Sequence, residues 1–362
     1  MDPSRPIIDR KRRHMEIALS DEAGSVVSAG WEDVHLVPSS VPEVSVADVE
    51  LATTLLGHQL QAPLVIASMT GGHQAAFEIN ATLGAAAERL GLAVGAGSQR
   101  AALREPSLSP TYAVIRERAP SAVVIANLGM CQLLPQRDVP PLGTEEISEA
   151  VAMLDAQVLA IHLNVVEELI QTEGDRNTSG LGPALAKVVG RCPVPILAKE
   201  TGAGMTLESA SLLAEAGVAA LDVGGAGGTS FVRIEGTRAR EGGDLRGARL
   251  GDTFARWGLP TAAAIVEVGQ VGLPVIATGG VRTGLDAAKA LALGADLVGL
   301  GRPALAAAMK GLDPLLDELE LLLEELRMAM VLTGSARIPD LRRNPPVLTG
   351  FVGEWVRQRR GR

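Results

Sequence analysis

The sequence predicts an α/β protein: a (β/α)8 TIM barrel with an N-terminal extension, a long insertion after strand six and a C-terminal helix. Two observations carry that prediction. Short, almost wholly apolar runs recur at residues 63–69, 92–97, 123–127, 158–162, 195–199, 220–224, 274–278 and 297–301, the pattern of strands buried on both faces of a parallel sheet. Ala/Leu-rich segments with helical spacing lie between most of them, as at 79–90, 207–216 and 285–293. Strands alternating eight times with helices favour a closed barrel over an open doubly wound sheet.

Residues 1–60 hold few helix or strand signals. They carry the basic cluster Arg10-Lys11-Arg12-Arg13-His14, then a section punctuated by Pro38 and Pro42. The barrel is expected over 61–312, in a chain forming one domain. Within it, Leu90-Gly91, Ala216-Gly217 and Leu293-Gly294 each end a helix on a glycine that feeds the next strand. A stretch rich in Gly and Arg, 227–258, separates strand six from a helix starting near Thr261. So long a loop in a compact domain is usually functional, often a lid. Residues 313–330 read as an amphipathic helix on the outside of the barrel, within a C-terminal segment 313–362.

Composition narrows the function. The 362 residues are 47% apolar and 21% charged, ordinary for a globular protein. A formal net charge of -9 argues against a general nucleic-acid surface, so any basic site must be local. Cys131 and Cys192 lack CxxC spacing, which fits reduced thiols in a cytoplasmic protein. No apolar run has the length of a membrane span, and the polar, basic first residues do not read as a secretion signal.

The chemistry gathers at strand ends. Strand four runs into His162-Leu163-Asn164-Val165-Val166-Glu167-Glu168, an imidazole, an amide and two carboxylates where a barrel places its active site. A Glu pair suits a hard cation such as Mg²⁺, and His or Glu can move a proton. Thr278-Gly279-Gly280-Val281-Arg282 and Gly299-Leu300-Gly301-Arg302-Pro303 close strands seven and eight, the two loops that commonly form a phosphate site from backbone N–H groups. Lys199, closing an apolar strand, calls for an anionic partner. A flavin, whose N1–C2=O edge gathers negative charge on reduction, supplies one. Thr70, Ser98 and Asn127 offer hydrogen bonds to its other heteroatoms. The basic cluster with Arg100 would grip a diphosphate through charge-assisted hydrogen bonds, and Glu168 with the diphosphate oxygens would complete a magnesium sphere.

These elements resemble the type 2, flavin-dependent isopentenyl-diphosphate isomerases. The matching residues include Arg10-Lys11-x-x-His14, Glu32-Asp33-Val34, Met69-Thr70-Gly71-Gly72, Gly97-Ser98-Gln99-Arg100, Ala126-Asn127-Leu128-Gly129, His162-Leu163-Asn164, Glu173-Gly174-Asp175-Arg176, Lys199-Glu200, Gly225-x-Gly227-Gly228-Thr229 and Gly279-Gly280-Val281-Arg282, collinear from about residue 10 to 340. The resemblance implies FMN bound by Met69, Thr70, Gly71, Ser98, Asn127, Lys199, Thr229, Gly280, Val281, Arg282, Gly301 and Arg302. It implies Mg²⁺ on Glu168 and NADPH as reductant. The substrate would be held by Arg10, Lys11, His14, Ser98, Gln99, Arg100, Asn164 and Glu167. Glu167 and His162 would be the catalytic pair, in a homotetramer or homo-octamer.

One position departs from the pattern. The family motif has Gln where this chain has Glu167, while Glu168 keeps the metal-binding carboxylate. A Glu titrates where a Gln does not, and a second carboxylate beside the metal ligand should raise one of the two pKa values. Either Glu167 serves as acid/base in the same isomerisation, or the scaffold acts on another prenyl diphosphate. An FMN-dependent 2-hydroxyacid oxidase shares the Gly-Gly-Val-Arg and Gly-Arg-Pro endings, but its chemistry wants a His after strand six or seven, which this chain lacks.

Overall fold

A computed structural model describes residues 13, 15–137 and 139–359. Eight parallel strands form a closed barrel: β1 (Leu64–Ile66), β2 (Ala93–Gly95), β3 (Val123–Gly129), β4 (Val158–Leu163), β5 (Ile196–Glu200), β6 (Ala220–Asp222), β7 (Val275–Thr278) and β8 (Leu297–Leu300). Each pairs with its neighbour in sequence, and β8 returns to β1 with Val298 opposite Leu64 and Leu300 opposite Ile66. All eight predicted strands are present.

Two apolar layers hold the ring. Val65, Ala93, Val123, Ile125, Val158, Ala160, Leu197, Ala220, Ile276 and Leu297 form one buried cluster. They alternate with outward residues such as Leu64, Ile66, Val124 and Leu159, which pack beneath the helices in a larger core. The inner cluster also takes in Leu55 and Leu60, from the antiparallel hairpin of Thr53–Leu55 and His58–Leu60 in the N-terminal extension. That hairpin contributes core where the sequence shows only weak strand signals.

The stretch 227–258 corrects the expectation of a long loop. It folds as two helices, Phe231–Glu241 and Leu245–Phe254. Ser230 and Asp244 cap them, their side chains accepting from the backbone N–H of Arg233 and Gly247. The glycines that suggest a loop instead let the helices touch: a Cβ built on Gly251 would lie 2.5 Å from the Gly236 Cα.

The C-terminal helix spans Leu312–Leu332 and buries Leu315, Leu316, Leu319, Leu322, Leu323 and Leu326, a stripe at helical spacing. Beyond it, Val347–Leu348 pairs antiparallel with Val34–His35 and a final helix covers Gly350–Arg359. Gly284 opens the helix after β7 against this C-terminal helix; a Cβ there would meet Leu322 O at 2.2 Å and Leu326 N at 2.3 Å. Backbone cannot yield as a side chain can. Gly284→Ala should therefore cost about 1–3 kcal/mol, read as a lower urea midpoint with unchanged m-value.

Candidate active site

The carboxyl ends of the strands open on one cavity of about 620 Å³, within the range of a cofactor or substrate site. Its lining includes Met69, Thr70, Gly71, Ser98, Arg100, Asn127, His162, Asn164, Glu167, Glu168, Lys199, Thr229, Gly280, Val281, Arg282, Gly301 and Arg302. Residues singled out in sequence at the ends of all eight strands are thus brought to one mouth. Arg10, Lys11 and His14 lie outside the described residues.

Each strand end is fixed through its neighbours. The Asn127 amide donates Nδ2–H to Ala96 O at 3.0 Å, which leaves Oδ1 to accept from His162 Nδ1 at 2.9 Å. That contact puts the imidazole hydrogen on Nδ1 and makes Nε2 the basic nitrogen of the neutral ring. The Tyr112 hydroxyl, fully buried, donates to Ser98 O at 2.7 Å and fixes the exit of β2. Gln99 requires a correction. Its side chain is wholly buried, donates to Ala150 O at 2.8 Å and accepts the Asn127 N–H at 2.9 Å. It braces the wall and does not line the cavity, because the turn after β2 points it away from the mouth, toward the helix Thr144–Ala152.

After β4 the chain turns at Asn164 into a short helix, Val165–Ile170, so Glu167 and Glu168 fall in its first turn. Both are buried. A single amide nitrogen, Asn164 Nδ2, donates to Glu167 Oε2 at 3.2 Å and Glu168 Oε1 at 3.1 Å. The Asp175 N–H donates to Glu168 Oε2 at 2.7 Å. Gln171, one turn past Glu167, donates to Glu235 Oε1 at 2.7 Å and reaches Glu167 Oε1 at 3.4 Å. Sequence reasoning missed Gln171, although its i+4 spacing from Glu167 was the available signal.

Lys199 lies 3.3 Å from Asp222 Oδ2 on β6 and donates to Glu200 O at 3.0 Å. The anionic partner that its burial demands is therefore built into the next strand. Arg100 likewise pairs with Asp175 at 2.7 Å.

The β7 and β8 loops supply backbone. Gly279 and Gly280 take φ of 126° and 68°, conformations open to glycine, and Trp31 donates its indole N–H to Gly280 O at 3.0 Å. A Cβ on Gly228 would lie 2.8 Å from Gly280 N, so the loops after β6 and β7 meet backbone to backbone, and Arg282 adds a donor to Gly227 O at 3.4 Å. The N-terminal extension joins them: Ser25 N–H donates to Gly228 O at 2.8 Å and Ser230 N–H to Ala23 O at 2.8 Å. Met15 and Ala18 reach the cavity wall.

The β8 loop, which carries Arg302, and the Glu pair after β4 stand four strands apart in a ring of eight, and Arg282 on the β7 loop stands three strands from that pair. Glycine-rich backbone and arginines on one side, with a buried lysine and a carboxylate pair on the other, define a barrel enzyme with a site suited to a phosphorylated cofactor. The family model for FMN-dependent dehydrogenase matches residues 182–347, the half that carries β5 to β8. Solved structures share the fold: a lactate oxidase of Pediococcus acidilactici is 18% identical with a TM-score of 0.66, covering 95% of each chain. A mandelate oxidase variant is 19% identical with a TM-score of 0.62, covering 91% of this chain and 93% of that one. Those likenesses are of fold alone.

Sequence relatives define the family. The isopentenyl-diphosphate delta-isomerase of Methanosarcina barkeri is 43% identical over 97% of this chain and 94% of its own. That of Methanothermobacter thermautotrophicus is 42% identical over 98% and 97%, and that of Ignicoccus hospitalis 44% over 97% and 96%. The chain belongs to the isopentenyl-diphosphate delta-isomerase family.

One buried acid beneath the mouth has a pH consequence. Burial pushes the Glu200 carboxyl up to about 7, against the pull of the Gly202, Ala203 and Gly204 N–H groups, which bind its Oε2 at 2.6, 2.6 and 3.1 Å. A carboxyl raised on folding binds its proton more tightly in the native state, so stability falls as pH rises from its ordinary 4.5 to about 7. Urea titrations across that window should show wild type losing unfolding free energy relative to Glu200→Gln, whose side chain does not titrate.

Proposed function

We propose that the enzyme converts isopentenyl diphosphate to dimethylallyl diphosphate, using reduced FMN and Mg²⁺ with NADPH as reductant. The observation that carries this reading is the placement of a buried carboxylate pair opposite a glycine–arginine phosphate cradle around one cavity.

The residues present fit FMN. Thr70 and Thr278 carry buried hydroxyls with no partner among the described residues, and both line the cavity. Gly279, Gly280 and Gly301 leave room for phosphate against backbone, with Arg282 and Arg302 adding charge. Lys199, 3.3 Å from Asp222, would hold the anionic edge of the ring, with Met69, Gly71, Ser98, Asn127, Val281 and Thr229 around it. Bound there, the reduced flavin would supply acid/base chemistry.

Mg²⁺ fits in a narrower sense. Among the described residues no group of three or more His, Cys, Asp or Glu side chains is arranged to hold a metal. Mg²⁺ tolerates this, since it commonly binds one or two carboxylates and completes its shell with water and substrate phosphate. Glu168 would be the protein ligand. Asn164 Oδ1, buried without a partner, points to a donor supplied by a bound substrate or its water. Arg100, with the basic cluster Arg10, Lys11 and His14, would hold the diphosphate. Glu167 and His162 Nε2 would face the carbon skeleton and hold or release protons.

The hydroxyacid-oxidase alternative loses ground here. The histidines are 14, 35, 58, 73 and 162, so neither the β6 nor the β7 loop offers the base that chemistry requires. The second reading, isomerase-like chemistry on a different prenyl diphosphate, keeps one observation in its favour, Glu167. Assembly as a homotetramer or homo-octamer in the cytoplasm completes the proposal. It fits two free cysteines and the absence, among the described residues, of a helix long and apolar enough to cross a membrane.

Purified protein given FMN, NADPH, Mg²⁺ and isopentenyl diphosphate should yield dimethylallyl diphosphate, and omitting either Mg²⁺ or the reductant should abolish it. No product under complete conditions overturns the isomerase. Glu167→Gln should lower kcat about 10²-fold, the scale of a lost acid/base group, with KM little changed. A rise in isomerase activity would assign the native enzyme to another prenyl diphosphate.

A further inference from the structure

Behind the acid pair lies a residue that touches neither cavity nor solvent to any extent. Asp175 is buried, and it is not among the cavity-lining residues, whereas Arg100 and Glu168 both are. It nevertheless binds each of them. Its carboxylate pairs with Arg100 NH1 at 2.7 Å, the two side chains being 9% and 15% exposed, and its backbone N–H donates to Glu168 Oε2 at 2.7 Å. We propose that Asp175 is a positioning residue that holds the Arg100 guanidinium away from the Glu167–Glu168 pair, so that Arg100 is presented to a diphosphate and Glu168 to a divalent cation. The proposal deepens the function proposed above and rests on it.

Charge makes the case for such a spacer. The buried Cys131 thiol, pushed up to about 12 first by burial and then by Glu168, Asp175 and Glu167, with Arg100 opposing, lies within electrostatic reach of all four charged groups. Four charged groups, three of them carboxylates, thus gather around one thiol. Without the Asp175 carboxylate, the nearest compensation for Arg100 is the pair itself. A guanidinium is a rigid fork that takes carboxylates bidentately, so it would settle on Glu167 or Glu168 and cover the metal ligand. Asp175 engages NH1 and leaves further N–H donors for a diphosphate.

The loop is built to hold that distance. A Cβ on Gly174 would lie 1.9 Å from Glu168 O, and Gly174 N–H donates to Gln171 O at 3.1 Å. The segment before Asp175 is therefore pressed onto the end of the Glu167–Glu168 helix. Its main chain fixes the metal carboxylate while its side chain, from the same residue, fixes the cation.

A competing role has the opposite sign. If Asp175 merely competes with the diphosphate for Arg100, removing its charge tightens anion binding. Calorimetric titration of the FMN-loaded enzyme with inorganic pyrophosphate, with and without Mg²⁺, separates the two. Asp175→Asn should weaken magnesium-pyrophosphate binding roughly 10–100-fold, the range for residues that orient metal ligands, with the flavin spectrum and Tm unchanged. In an Arg100→Gln background the same substitution should change affinity less than about twofold, since Asp175 acts through Arg100. Tighter binding by Asp175→Asn, affinity within about twofold of wild type, or a loss that persists in full without Arg100, each overturns the proposal. Should Asp175→Asn fail to fold, Asp175→Glu keeps the charge but displaces the guanidinium by a methylene; it should show a smaller loss, and wild-type affinity overturns the role. Failure of the wild-type holoenzyme to bind pyrophosphate in either condition overturns the diphosphate reading itself. Binding by wild type with Asp175 inert overturns only the role of Asp175.

Discussion

Closure of the barrel between β8 and β1, with Val298 opposite Leu64, is the constraint on which the rest of the structure depends. Parallel strands all point the same way, so closing the ring forces all eight carboxyl ends onto one rim. Polar residues far apart in sequence, from Thr70 to Arg302, have no other reason to meet. The inner cluster of Val65, Ile125, Val158, Leu197 and Ile276 with Leu55 and Leu60 fills the ring below. The apolar interior and the polar mouth are thus two layers of one object.

The rim is a chain of hydrogen bonds more than a collection of side chains. Gln99 accepts from Asn127 N–H, Asn127 accepts from His162, and Lys199 is neutralised by Asp222 on the next strand. Each bond links neighbouring strands, so rotation of one side chain is opposed by the next. Preorganisation of this kind keeps the histidine tautomer and the lysine position fixed before any ligand arrives. It also explains why Gln99, Asn127 and Lys199 tolerate burial: each has a partner on a neighbouring strand.

The strands were readable because a sheet buried on both faces writes itself as apolar runs, and the mouth was readable because polar residues end those runs. What escaped depended on partners distant in sequence. Asp222 follows an apolar pair and gives no sign that it faces Lys199. Asp175 and Glu235 lie in segments whose local pattern reads as ordinary charged surface. Gln99 sits between Ser98 and Arg100, both at the cavity, and only the direction of its side chain sets it apart. The segment 227–258 misled because Gly236 and Gly251, helix breakers by propensity, are here a contact between two helices, and only a tertiary neighbour makes that choice favourable.

The same reasoning bears on Glu167. Both of its oxygens accept from amide donors that have little freedom: Asn164 Nδ2, also tied to Glu168, and Gln171 Nε2, held at 2.7 Å by Glu235. A glutamine at 167 has one acceptor oxygen and would turn its own NH2 against one of those two donors. Relieving that clash requires either amide to flip, and each flip would set an amide oxygen against a carboxylate. The surroundings therefore select a carboxylate at 167 as firmly as the cavity uses one. The departure from the family motif is supported by residues that donate toward it, which makes it part of the construction of this site and ties its position to Asn164, Gln171 and Glu235.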